Sequence, residues 1–312
     1  MNKIPKIYTF GTRFNTDILR GPVAVEEKID GSQFQFGLDL EEGVLVCRSK
    51  GQVIDLNAPG MFSAAVETAL GFGDVLVPGR VYQCEYLAKP KHNVLSYNRI
   101  PRSHLVLFDA KDKDGTYLSL DAKRASADIL GLEPVPVLHF GELSPTQEWV
   151  DAFLQTDSAL GGCKVEGIVI KNYALPHPES ESGFAPMTAK IVSERFKEKQ
   201  SSQPRNPKAG QGEHMQAIIN SLRTEARWLK AIQHLREAGQ LANAEKDIGP
   251  LVREIQRDTL EEEADWIKEQ LFVAAKTEIH RGVVQGFAQY YKSLLNNGMS
   301  VYQEMVTAPA AQ

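Results

Sequence analysis

Residues 25–33 read VEEKIDGSQ, from Val25 through Glu26, Glu27, Lys28, Ile29, Asp30, Gly31 and Ser32 to Gln33. An amine stands two residues ahead of a carboxylate, and a glycine follows at what looks like a strand-to-turn junction. Alone, Lys-x-Asp-Gly is a short pattern that any solvated lysine–aspartate pair at a turn could produce. Its surroundings carry more. Immediately downstream, QFQFGL sets Phe34, Phe36 and Leu38 on one face of a strand, and VLVCR, RVYQCEYL, HLVLFDA, EGIVIKNY and TAKIV are further runs rich in β-branched residues. Helices are expected after Pro59 (MFSAAVETAL), around DAKRASADIL, and at SPTQEWVDAFL. The last opens with Ser144 as N-cap, Pro145 in the first turn and Gln147 completing a capping box. From Val23 to about Phe196 the chain therefore reads as α+β.

Composition changes after Phe196. KEKQSSQPRNPKAGQG is polar, rich in Pro, Gly and Ser, and has no strand pattern. Beyond it Met215, Ile218, Ile219, Leu222, Ala226, Leu229, Ile232 and Leu235 recur at helical spacing, and Ile248 to Leu295 continues in the same way with dense Glu, Lys and Arg. These patterns divide the chain into a first domain at 1–200, a linker at 201–212 and a small helical bundle at 213–312. A length of 312 residues with 42% hydrophobic residues suffices for such a globular protein. The net charge of −5 gives no global basic field, so any nucleic-acid contact has to come from local patches. Cys47, Cys84 and Cys163 are widely spaced and odd in number, which argues against a disulfide framework or a structural zinc site. With no run of ~18 apolar residues and no signal-peptide core, a soluble, cytoplasmic protein is expected. Gly71 and Gly73 in GFGDVL lack the third glycine of a dinucleotide fingerprint, there is no phosphate-binding GxxxxGK[ST] loop, and the histidines form no HExxH.

The order of the remaining motifs carries the resemblance. After Lys28 come Arg48 in CRSKG, Glu85 in YQCEYL, Phe108 in LVLFDA, Glu166 and Lys171 in VEGIVIK, and Lys190 in TAKIVSERFKE. In that order and spacing they resemble the covalent nucleotidyltransferase superfamily of DNA ligases, RNA ligases and capping enzymes. The stretch EYLAKPKHNVLSYNRIPRSHLVLFDA is similar to the RNA ligase family, in particular its bacteriophage-type branch that seals nicks in duplex RNA. The similarity covers roughly the first 200 residues. It implies an ATP-grasp-like nucleotidyltransferase domain of antiparallel sheets with flanking helices. It also departs from the family at one point: a second lysine often follows the last motif's first after one residue, and here that place is held by Val192.

The resemblance further implies that Lys28 attacks the α-phosphate of ATP, leaving a lysyl-AMP. AMP then passes to an RNA 5′-phosphate, and a 3′-hydroxyl displaces it. Glu27 is implied to contact adenine, Phe108 to stack on it, Asp30 and Glu85 to hold the ribose, and Lys171 and Lys190 to meet the phosphates. Glu166 offers oxygen to Mg²⁺ or Mn²⁺. Arg48 suits either the triphosphate or the RNA 5′-phosphate. An amine of ordinary pKa ~10.4 is a poor nucleophile at neutral pH, so Lys190, Arg48 and a divalent ion are expected to depress that of Lys28.

Between Leu87 and Phe108 no acid occurs, while Lys89, Lys91, His92, Arg99 and Arg102 are interleaved with Tyr97. That strip reads as an RNA phosphate contact or as a solvated loop. Lys197, Lys199, Arg205 and Lys208 form a second basic cluster, equally consistent with RNA contact or solubility. A DNA ligase or capping-type enzyme is the nearest alternative, but those usually append an OB-fold after the last motif, where this chain is helical. A catalytically inert RNA-end-binding module is the alternative from another class.

Overall fold

A computed structural model describes residues 2–144, 146–180, 183–199 and 211–296. In chain order the elements are β1 (Tyr8–Thr9), β2 (Val23–Lys28), β3 (Ser32–Leu38), β4 (Leu45–Ser49), α1 (Ser63–Gly71), β5 (Val81–Tyr86), β6 (Leu105–Lys111), α2 (Leu120–Leu130), β7 (Glu133–Pro134), β8 (Val137–Gly141), α3 (Gln147–Leu154), β9 (Gly167–Pro176) and β10 (Pro186–Val192). The helices α4 (Gln211–Leu222), α5 (Glu225–Glu237), α6 (Ile248–Val283) and α7 (Phe287–Asn296) follow.

The strands form two five-stranded sheets, β1-β10-β9-β2-β8 and β4-β3-β5-β6-β7. Both are antiparallel apart from the β1–β10 and β6–β7 pairs. The architecture is thus the α+β arrangement the sequence implies. Because β2 lies between β9 and β8, it is buried from Val23 to Glu27, and two glutamates are carried inside with it. Val23 and Val25 pack with Ile18, Ile168, Ile170 and Ala189, while strand alternation sends Glu26 and Lys28 to the opposite face. In the second sheet Phe34, Phe36, Tyr82, Tyr86, Leu105 and Leu107 pack with Ala65 and Val66 of α1 and Ala127 of α2. The side chain of Ser119 caps α2 by accepting the Ala122 N–H at 3.3 Å, and Gly131 ends the helix at φ 64°.

β2 stops at Lys28 and β3 begins at Ser32, so the turn between them is the joint at which the chain leaves one sheet for the other. Gly31 is needed there. A Cβ on it would stand 2.6 Å from the Tyr86 carbonyl oxygen and 2.8 Å from Glu85 Cγ.

Three expectations are corrected. The N-cap of α3 is Thr146, with no side-chain capping bond, rather than Ser144, because the helix begins at Gln147; Pro145 lies outside the described residues. The chain's contacts do not divide it at residues 200–213. One compact unit is Met1–Lys197 with Glu225–Glu254, and the other is Glu198–Thr224 with Ile255–Gln312. α5 returns to the first unit because its polar side chains bond to the β2–β3 turn. Residues 211–296 are largely helical as expected, but Leu260, Phe272, Val283, Val284 and Phe287 are exposed, so these apolar positions do not form a bundle core. Within the second unit Lys199 pairs with Glu263 at 2.9 Å and lies 4.8 Å from the Trp266 ring centroid. Lys197, in the first unit, pairs with Glu194. Arg205 and Lys208 lie outside the described residues. Cys47 and Cys84 are buried and Cys163 is half-buried; all are free thiols. Among the described residues no helix is long and apolar enough to cross a membrane.

Candidate active site

Lys28 Nζ donates to both carboxylate oxygens of Glu166, at 2.7 Å each. The register explains the meeting: Lys28 pairs with Gly167 across β2 and β9, and Glu166 is the residue before it. A Cβ on Gly167 would stand 2.3 Å from the Ile191 carbonyl oxygen, so glycine is what lets β10 approach and bring Lys190 opposite Val169.

Burial pushes the Lys28 ammonium down, but Glu166, followed by Glu85 and Asp30, outweighs it and holds its pKa above the ordinary lysine value. Without nucleotide or metal, the protein's own groups thus hold Lys28 in its protonated form. Burial also pushes Glu85 up to about 8 against the pull of Lys28, with Glu166, Glu237 and Asp30 adding to the rise. Glu166 is raised by burial, opposed by Lys28 and, more weakly, by Lys190.

Several implied roles are taken by other partners. Glu27 Oε1 accepts from the Ser158 hydroxyl at 2.5 Å and Oε2 from the Ala159 N–H at 3.0 Å, so its side chain ties β2 to a distant loop. One oxygen of Asp30 accepts the Val94 and Leu95 N–H groups at 2.8 and 2.6 Å, and the Asp30 N–H donates to the Tyr97 hydroxyl at 2.8 Å. Asp30 thereby pins the 93–97 loop over the turn. Glu85 accepts the Gly31 N–H at 3.1 Å.

Lys171 is the plainest correction. It is 2% exposed, and its Nζ bonds to Glu26 at 2.8 Å, Asp109 at 2.7 Å and the Phe108 carbonyl at 2.8 Å. Burial presses its pKa down, but Asp109 and Glu26 hold it well above the ordinary value. All three donors are consumed inside the protein, and none is left for a phosphate. Lys123 of α2 completes the cluster, bonding to Glu26 and to the Phe108 carbonyl. Phe108 keeps its ring half-buried above this group, against Ile29, Leu87, Val106 and Val135.

The basic strip is likewise divided. His92 is buried; its Nδ1 accepts the Ala88 N–H at 3.0 Å, and burial pushes its pKa down to about 4 despite Asp30. It is therefore a neutral packed imidazole and not a phosphate cation. Arg99 forms a two-pronged pair with Glu133 at 2.8 and 2.9 Å, and the Arg102 backbone N–H joins the same carboxylate at 2.6 Å. Lys89 and Lys91 are exposed. Arg48 is half-buried on β4, opposite Gln35, and its Nε makes no hydrogen bond among the described residues.

Ser32, Asp109, Lys123, Ser158, Gln233 and Glu237 were not legible as site residues. Each acts through a partner far off in sequence, and no spacing rule signals such a meeting.

A strand-end lysine held by a buried glutamate at the joint of two mostly antiparallel sheets is the centre of the candidate site. Residues 21–192, more than half of the 312, match the family model described as RNA ligase. The chain belongs to the RNA ligase family. Similar solved structures include the RNA ligase of Naegleria gruberi with pyrophosphate, at 18% identity and TM-score 0.46, covering 62% of this chain and 56% of that one. A mutant of the same ligase with AMP and Mn matches at 17% identity and TM-score 0.48, over 62% of this chain and 56% of that one. This chain thus spans 56% of the length of those relatives. No match was found among the curated proteins.

Proposed function

We propose that the protein is an ATP-dependent RNA ligase that joins 3′-hydroxyl and 5′-phosphate RNA ends, at nicks in duplex RNA, through AMP carried on Lys28. The observation that carries this reading is the Lys28–Glu166 contact at the joint of the two sheets, with Glu85, Asp30 and Lys190 around it.

In the first step the Lys28 nitrogen, once it has lost its extra proton, attacks the α-phosphorus. The new N–P bond replaces the P–O bond to pyrophosphate. Glu166 is the group that holds the ammonium, so moving its charge away from Nζ frees the lone pair. Lys190 faces the phosphates as a point charge, and Arg48 offers a planar fork of donors. In the second step an oxygen of the RNA 5′-phosphate takes AMP and the N–P bond breaks. In the third the 3′-hydroxyl oxygen attacks the 5′-phosphorus and AMP leaves. Positioning and charge, rather than acid–base power, supply most of the acceleration.

The donor set fits a hard divalent ion. Buried carboxylates outnumber the cations around Nζ, and Glu85 and Glu166 are both raised by burial, which a cation would relieve. Among the described residues no three His, Cys, Asp or Glu side chains gather into a metal cage. Bound at Glu166, Mg²⁺ or Mn²⁺ would supply neutralisation of the phosphate charge. Sealing assays on a nicked RNA duplex, a nicked DNA duplex and single strands test the substrate. The RNA nick should be joined fastest; equal joining of nicked DNA would reassign the substrate.

A further inference from the structure

The turn that carries Lys28 is gripped by a helix outside the family-matched segment. The Gln233 amide of α5 donates to the Gly31 carbonyl at 3.1 Å and to Glu237 at 2.8 Å. Since His92 Nδ1 accepts the Ala88 N–H, Nε2 carries the ring proton and donates to Ser32 Oγ at 2.9 Å. The Ser32 hydroxyl proton then points to Glu237, whose carboxylate accepts it at 2.6 Å. α5 is itself anchored. His234 Nε2 accepts from Lys50 Nζ at 3.2 Å, and its Nδ1–H donates to Glu254 at 2.7 Å.

The rest of the turn is held by the sheets and the 93–97 loop. Tyr97 takes the Asp30 N–H, Glu85 takes the Gly31 N–H, and Asn93 donates to the Gly31 carbonyl at 2.7 Å. Those contacts fix Asp30 and Gly31 but leave the Ser32 side chain to His92 and Glu237. The helix closes the grip at the residue where β3 begins, four positions after the nucleophile. A shift of about 1 Å at a reacting group can cost on the order of 100-fold in rate.

We propose that Gln233 and Glu237 of α5 are positioning residues of the adenylylation step, holding Gly31 and Ser32 so that Lys28 meets the α-phosphorus. The inference rests on the ligase reading above. α5 is then part of the catalytic unit, although the recognised family segment ends at 192.

The test is single-turnover lysyl-AMP formation in the full chain, comparing Ser32→Ala, Glu237→Ala, their double variant and Glu237→Gln. Each alanine variant should lower the rate constant at saturating ATP on the order of 10- to 100-fold, with KM for ATP changed by less than about threefold. The double variant should be no slower than the worse single, since both remove one contact. Glu237→Gln keeps an acceptor for the Ser32 hydroxyl and should recover most of the rate. Unchanged rates, losses that multiply in the double variant, a loss confined to KM, or a Gln variant as slow as the Ala variant would each overturn the proposal. Amide hydrogen exchange over residues 29–33 supplies an arm independent of activity: Glu237→Ala should exchange faster than the parent, and equal protection would refute the contact. A parent protein that takes no label from ATP sinks the ligase reading instead, and the exchange arm then decides the contact alone.

Discussion

At Lys28 the difficulty is that the contact which places the amine also keeps it protonated. Glu166 binds Nζ through both oxygens, and the lysine pKa rises in consequence. Glu166→Gln should therefore free the amine while removing the carboxylate oxygen that a metal would use. Without nucleotide, Lys28 of the variant should react faster than the parent's with an amine-selective acylating reagent at pH 8, because the carboxylate that raises its pKa is gone. Lysyl-AMP formation should nevertheless fall. Mass-spectrometric mapping of the modified lysine gives the answer, and an unchanged rate would show that Glu166 does not hold the proton there. Glu85 makes a second prediction. Burial raises it to about 8, so between the ordinary carboxylate value and pH 8 the unfolded chain gives up a proton that the folded chain keeps. The unfolded state binds fewer protons in that window, and stability contributed by this group is lost as pH rises from about 5 through 8. Glu85→Gln should flatten that slope in denaturant titrations of the nucleotide-free protein; an unaltered slope would place the cause elsewhere. At this scale motif order singled out Lys28 and Glu166, which the fold brings into contact. The side-chain partners of Glu27 and Asp30 were hidden, because Ser158 and Ala159 lie 131 and 132 positions away from the first, and Val94 and Leu95 lie 64 and 65 from the second.

Among the elements, β9 carries both the residue that follows Glu166 and the buried Lys171. Gly167→Ala would place a methyl 2.3 Å from the Ile191 carbonyl oxygen and 2.8 Å from the Val192 Cα, both backbone atoms of β10. Separating β10 from β9 moves Lys190, so this single methyl should cost about 1–3 kcal/mol of stability and most of the adenylylation rate. Denaturant midpoints and label uptake measure the two losses; a variant as stable and active as the parent would contradict the register. Lys171→Met has a different signature. It removes one cation from a buried set of Lys123, Glu26 and Asp109, and leaving that charge uncompensated costs about 3–5 kcal/mol. A phosphate-binding lysine would instead show a raised KM for ATP and near-normal stability. Strands β3, β4, β5, β6, β9 and β10 were legible because β-branched and aromatic residues mark them. β1 and β7, two residues each, carry no such pattern. His92 shows why composition misleads in the basic strip, since its neutrality comes from burial and not from its neighbours in sequence.

For the whole molecule, the composition break after Phe196 was real as a change to helices but misplaced as a domain boundary, because Glu225–Glu254 belongs with the first unit. Polar bonds from Gln233 and Glu237 to residues some 200 positions earlier cause that return, and hydrophobic periodicity is blind to them. Under the ligase reading, RNA binding should follow the same division of the strip. Lys89→Ala and Lys91→Ala should each weaken RNA binding and lower the salt dependence by about one phosphate contact, whereas Arg99→Ala, whose guanidinium is occupied by Glu133, should change it less. Equal effects at all three positions would show that the Arg99–Glu133 pair opens to the nucleic acid. The central claim is that Lys28 takes AMP from ATP, and the direct measurement is incubation with α-labelled ATP and Mg²⁺ followed by a denaturing gel. Label should remain on the protein, leave as AMP on addition of a 5′-phosphorylated RNA nick, and be absent from Lys28→Ala. No label on the parent, or label retained in Lys28→Ala, would contradict the account.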